Sequence, residues 1–486
     1  MAKAKAAPAK SAVKGGAAQV AGWEDDPQTA VATLRPVPKL SQAPAFTFPS
    51  PAPKAGIYPP GTQQFRYWAA AEALRRGADF WNSVIPGGVK WEVGKSLRVL
   101  LDEGLDLNAY YDRNALNFFH GPGAGGGTVF SCESPDVVCH EMGHAILDSI
   151  KPELWDAAFA EAAAFHESFG DMSAILSALQ LPSLRKSIIA DTAGRLYRNS
   201  RLSRLAEQLG SAIRQRQPQD VDADCLRNAV NSFIYKDPTT LPQSAPASSL
   251  SSEPHSFSRV FTSAFFESLA QVLSFKAGQN TPTDAQLAAA AKEVAGILVS
   301  GVHAAAVVPG FYAQVAAGMV AASGSVNAAY PPIFKAAFVR RSILSLHSAA
   351  QVQSLQLVQA AQAKGVAKAM TATSSALRAA LSTIALPADH YGLDKPVLVQ
   401  GASQQPRFAV AAAAVDGNGA VTPPSSTTAA TAFVDDLFRL GRVDYQHLLA
   451  EGQGLASGRH RASHGLEEQG GGYRLARRLF DCGCSR

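Results

Sequence analysis

From Pro135 to about Leu386, alanine, leucine and valine recur at three- and four-residue spacing, the period of helices that bury one face. Near its start the apolar pattern is broken by His140-Glu141-Met142-Gly143-His144, between Val137-Val138 and Ala145-Ile146-Leu147 with Ile150. This stretch has to form a buried helix. Its boundaries are written locally: Ser134 is an N-cap residue, Pro135 suits the first helical position, Asp136 favours the first turn, and Pro152 ends the helix near Lys151. Residues four apart share a helix face, so both imidazoles reach one Zn²⁺ while Glu141 points at a water on the metal.

A third ligand is needed. A metzincin-type arrangement would place glycine at 147 and histidine at 150, where this chain has Leu147 and Ile150. The alternative is a carboxylate from a following helix, and Phe159 to Leu179 supplies it. Glu167 and Asp171 are four apart, so Glu167 can bind the metal while Asp171 orients a ligand imidazole. Glu161 is the weaker candidate because no acid follows it at that spacing, and His166 is turned about 100° away from Glu167. Together these residues predict Zn²⁺ held by His140, His144 and Glu167, with Glu141 as the base that takes a proton from the zinc-bound water.

These blocks resemble the gluzincins, specifically the thermolysin-like metallopeptidases. Asp136-Val137-Val138 before HEMGH, Ala145 after it and Asp148 four residues past His144 are similar to that family's active-site helix, and Glu167 with Asp171 to its Glu-x-x-x-Asp block. Asn108-Ala109-Tyr110-Tyr111 is similar to the segment that in the family forms an edge strand pairing with substrate backbone. Glu253 to Arg259 looks like the block holding a transition-state histidine, here His255. The resemblance spans about 108 to 267. It implies that His255 stabilises the oxyanion, that Asn108 and Ala109 align an extended peptide, and that Asp171 and Asp136 support the site. Two departures stand out: Trp155 occupies the place of a family tyrosine, and Leu250 that of the acid orienting the histidine, a role Glu253 can take.

With 486 residues and 47% hydrophobic content, the chain can bury a large core. Its net charge of +5 includes four lysines within the first 22 residues, so the remainder is nearly neutral and nucleic acid is not an expected partner. Five scattered cysteines, Cys132, Cys139, Cys225, Cys482 and Cys484, do not make a disulfide framework. With no apolar segment suited to export, a cytoplasmic location is expected. The uncharged run from Val294 to Phe334 is Ala- and Gly-rich and broken by Pro309-Gly310, so it reads as buried bundle helices and no membrane span is expected. His303 inside it reads as a core residue.

The expected architecture is α+β and zincin-like, in six segments. These are a disordered Ala/Lys arm (1–22), a Pro-rich extended segment (23–60) and an α+β subdomain with the substrate edge strand (61–134). An active-site helix and helical domain (135–395), a hairpin-containing extension (396–451) and a mobile basic Gly/Arg-rich tail (452–486) follow. The function expected is that of a zinc metallopeptidase acting on peptide or protein substrates. The alternatives are a zinc-containing, peptidase-like module that binds peptides with little or no turnover, and a metal-free helical scaffold.

Overall fold

Thr62 opens α1 (Gln63–Val84) by accepting a hydrogen bond from the Phe65 amide at 3.2 Å. Ser134 does the same for α2 (Pro135–Ile150), accepting from Val137, while Pro135 occupies the first position, where no amide hydrogen is needed. The chain forms a mixed α/β structure, seen in a computed structural model that describes residues 18–28, 32–352, 381–402, 410–411, 420–421, 423–445, 448 and 462–481.

The α2 helix packs along α3 (Ala160–Ala178), and the two touch backbone to backbone. A Cβ added to Gly143 would lie 2.8 Å from the Gly170 Cα, closer than carbon atoms approach without a shift. This contact brings the His140 and Glu167 levels of the two helices together. The short helices α4 (Pro182–Asp191) and α5 (Glu207–Arg214) follow. Then α6 (Pro254–Ala277) covers the other side of α3, backed by α7 (Asp284–Ala304), α8 (Phe311–Val326) and α9 (Pro331–Arg340). Among the described helices α7 is long and apolar enough to cross a membrane; here it packs against α6 and α8.

Two five-stranded sheets flank these helices. The first includes β3 (Ala45–Thr47), β4 (Ser96–Leu100), β5 (Ala109–Tyr111) and β6 (Ala115–Phe118); β3, β4 and β6 run parallel, and β5 is antiparallel to β6. Outside β5 lies the two-residue strand Phe480–Asp481, antiparallel, with Tyr111 opposite Phe480 and Tyr110 opposite Asp481. The second sheet has the order Ser382–Leu386, Val397–Gly401, Gly472–Arg477, His464–Gln469, Val443–Asp444. Its central hairpin turns at Gly470-Gly471, both with positive φ (55° and 84°), as a two-residue turn between strands requires.

Several boundaries differ from the sequence reading. Residues 19–22, placed in the disordered arm, form β1 (Gln19–Trp23) together with Trp23 of the Pro-rich segment, paired with β2 (Ala32–Pro36) in that segment. The expected division at 395 cuts the second sheet between its first two strands, and the expected mobile tail supplies two strands to that sheet and one to the first. A bound edge removes unpaired backbone groups, which outweighs the local Gly/Arg composition. Val410–Ala411 and Ala420–Val421 do pair antiparallel; the turn between them, the stretch 1–17, and Cys482 and Cys484 lie outside the described residues.

Candidate metal centre and peptide edge

Donor atoms converge where α2 meets α3. Glu167 lies 3.2 Å from His140 Nε2 through one oxygen and 3.7 Å from His144 Nε2 through the other. A nitrogen of each imidazole and a Glu141 carboxylate oxygen lie within 4.8 Å of one another, and all of these residues are buried. Ligand bonds of about 2.0–2.1 Å in a tetrahedron put neighbouring donors about 3.3 Å apart, which the 3.2 Å contact of Glu167 with His140 matches, while the 3.7 Å contact with His144 is made by the other oxygen. His144 is fully buried, yet neither ring nitrogen makes a hydrogen bond. Burial lowers its pKa to about 3, only partly opposed by Glu167, so the ring is in the neutral form a metal requires. His140, His144 and Glu167 therefore fit a metal ion.

The support around the centre is charged and buried. His140 Nδ1 faces Asp171 at 3.1 Å, and Arg227 donates to the same carboxylate at 2.8 Å. Burial would raise the Asp171 pKa, but Arg227 and His140 outweigh it and hold the carboxylate ionised. Burial would likewise raise Glu167, and the surrounding imidazoles of His255, His144 and His140 bring it well below the usual range. Burial would lower His140, but hydrogen bonds to Asp171 and Glu167 raise it to about 9, so a metal binding there displaces the proton on its Nε2. Room for the imidazole comes from Gly170, where an added Cβ would lie 2.6 Å from the ring.

His255, the second residue of α6, is aimed at the same point. Its Nε2 lies 3.1 Å from Glu167 and 2.7 Å from the Asp481 carbonyl oxygen, while Nδ1 bonds Glu253, the N-cap of the helix. Burial opposes protonation of this ring, but Glu167 and Glu253 together push its pKa well above the ordinary value.

The other sequence candidates fall at different places. Asp136 bonds the Ala206 amide at 3.1 Å and faces Asp25, Asp26 and Glu207 instead of a ligand imidazole, because it sits one turn before His140. Glu161 is not at the metal centre: it accepts from Gly310 and Tyr312 at the start of α8 and from the Tyr235 hydroxyl. His303, read as a core residue, is instead exposed near the end of α7. Cys139 points away from the centre toward the Ala73 carbonyl. Asn108 is fully buried, its Oδ1 accepting from the Ala109 amide, and Ala109 pairs with Phe118.

Trp155 is buried, edge-on to Tyr111 and to Phe480, with the Arg113 guanidinium 4.5 Å from its ring. The Tyr111 hydroxyl is committed to Asp148 at 3.0 Å. Neither supplies a free hydroxyl to the centre.

No protein-family model matches the chain, and no curated protein does.

Arg227, Gly170, Arg442 and the Phe480–Asp481 strand are absent from the sequence-based site. Only Gly170 carried a local signal, as a small residue inside the Glu167-to-Asp171 block.

Proposed function

We propose that the chain is a zinc metallopeptidase of the zincin type, hydrolysing extended peptides at the α2–α3 junction. One observation carries this reading: His140, His144 and Glu167 converge on a buried point with Glu141 beside it. Zinc bound there would polarise the scissile carbonyl and lower the pKa of water toward neutrality. Glu141 then accepts the proton of the attacking water and returns it to the departing amine. His255 donates from Nε2 to the developing oxyanion, held in place by Glu253, a stabilisation of about 3 kcal/mol for one such donor. Asp171 keeps the His140 ring oriented, and β5 offers its outer backbone to the peptide.

A second reading, a zinc-containing module that binds peptides without useful turnover, is favoured by the strand already paired with β5 and by Trp155 in place of a hydroxyl. Zinc stoichiometry, with hydrolysis of a peptide library by wild type and Glu141→Gln, decides between them. Zinc-dependent cleavage abolished in Glu141→Gln is the expected result; equal rates in the two proteins remove Glu141 as the base.

A further inference from the structure

Phe480–Asp481 is a strand of two residues whose ladder partner is β5, and its side chains meet the candidate site itself. The Phe480 ring lies nearly parallel to that of His166, with centroids 3.9 Å apart, and to that of His144 at 5.1 Å. Trp155 meets it edge-on, and the Arg477 guanidinium sits 4.1 Å from its centroid. The Asp481 carbonyl reaches His255 Nε2, and its carboxylate pairs with Arg442 at 3.0 Å. A cavity of about 50 Å³, bordered by Glu167, His255 and Arg442, remains beside the strand.

We propose that Phe480–Asp481 is a peptide ligand held in cis on the outer edge of β5, and that the cleft beneath it takes extended peptides with an aromatic residue followed by an acidic one. The proposal rests on reading β5 as the peptide-binding edge. Four contacts define the specificity. The imidazoles of His144 and His166, each nearly parallel to the Phe480 ring, accept a flat ring, Trp155 closes one side, and Arg442 selects a carboxylate on the next residue. Main-chain pairing with Tyr110 and Tyr111 supplies sequence-independent affinity, as in strand addition to a sheet edge. Only Arg478 and Leu479 separate the strand from the end of the second sheet. A tether this short gives an effective concentration on the order of millimolar, so an external peptide binds only when the strand is displaced or removed.

The test uses a fluorescein-labelled peptide, alanine-leucine-phenylalanine-aspartate with an amidated end, and zinc-loaded proteins carrying Glu141→Gln so that binding is read without turnover. Three proteins are compared by fluorescence anisotropy: the full chain, the full chain with Phe480→Ala and Asp481→Ala, and a chain ending at Arg478. Both opened variants should bind the peptide at least tenfold more tightly than the full chain. Peptides with alanine for phenylalanine, or lysine for aspartate, should bind the opened variants at least tenfold more weakly. Equal binding by all folded proteins, no binding by opened variants whose thermal melts show a native fold, or equal affinity for the three peptides would overturn the proposal. If the shortened chain does not fold, the doubly substituted full chain decides the same question. Failure of the peptidase reading gives a different pattern: opened protein with Glu141 restored binds the peptide and leaves it intact.

Discussion

Arg227 donates to Asp171 at 2.8 Å, with both side chains buried, so the carboxylate facing His140 owes its charge to a residue 56 positions away. Taking Arg227 away leaves the buried Asp171 charge facing His140 but without its guanidinium partner, which costs up to about 3–5 kcal/mol. It also frees the His140 ring, and losing such support lowers metal affinity about 10–100-fold. Arg227→Met, which keeps the chain length and apolar stem, is expected to show both effects in urea denaturation and in zinc competition titration. A variant destabilised with zinc affinity unchanged would show that Asp171 orients His140 unaided.

Glu161 and Glu167 are both buried acids on α3, and they do different work. Glu161 accepts from the Tyr312 and Gly310 amides at 2.8 and 2.9 Å and from Tyr235 at 2.8 Å, while Glu167 faces three imidazoles. Replacing Glu161 by Gln substitutes a donor for one acceptor oxygen, at a cost of about 2 kcal/mol for a charged hydrogen bond lost. Glu161→Gln should therefore keep one equivalent of zinc and melt at a lower temperature. Glu167→Gln should lose the zinc.

The parts legible in the sequence are those whose partners are three or four residues apart. HEMGH, the Glu167–Asp171 pair and the caps Thr62 and Ser134 are short-range patterns, and the structure draws the first two together. Pairing between distant segments leaves no such trace. Nothing near Phe480 announces that it lies opposite Tyr111, and Arg227 has no periodic context. Gly470-Gly471 is itself a turn signal for the hairpin around it, one that the expectation of a mobile basic tail over 452–486 left unused.

Gly170 sets how closely the two helices that carry the candidate metal ligands approach. A methyl group there would fall 2.6–2.8 Å from three atoms of the His140 ring, a ring fixed by Asp171 and unable to swing away cheaply. Gly170→Ala gains helix propensity of about 1 kcal/mol but should lose about 1–3 kcal/mol to overpacking. Zinc affinity is the more diagnostic readout: it should fall at least tenfold in Gly170→Ala. The same substitution at Gly296, where an added Cβ meets nothing within 4 Å, should leave zinc binding unchanged.

The start of α2 rests on a buried pair of acids. Asp26 accepts from the Ser134 hydroxyl and from the Gln208 amide, both at 2.8 Å, and burial raises its pKa to about 6. Asp25 beside it is raised to about 7, first by burial and then by Asp26 and Glu207, with Arg201 opposing. Both folded-state values exceed the ordinary carboxylate range, so the folded chain holds these protons more tightly than the unfolded one. Their contribution to stability is complete below about pH 4 and is lost as pH rises through about 6 to 7; the rise of Asp26 from its ordinary value of 3.8 to about 6 alone corresponds to roughly 3 kcal/mol. Urea midpoints of wild type and Asp25→Asn between pH 4 and 7.5 report this contribution together with the upward push that the Asp25 charge exerts on Asp136. The variant should gain on wild type as pH rises. A constant difference across the range would mean that Asp25 stays ionised in the folded protein.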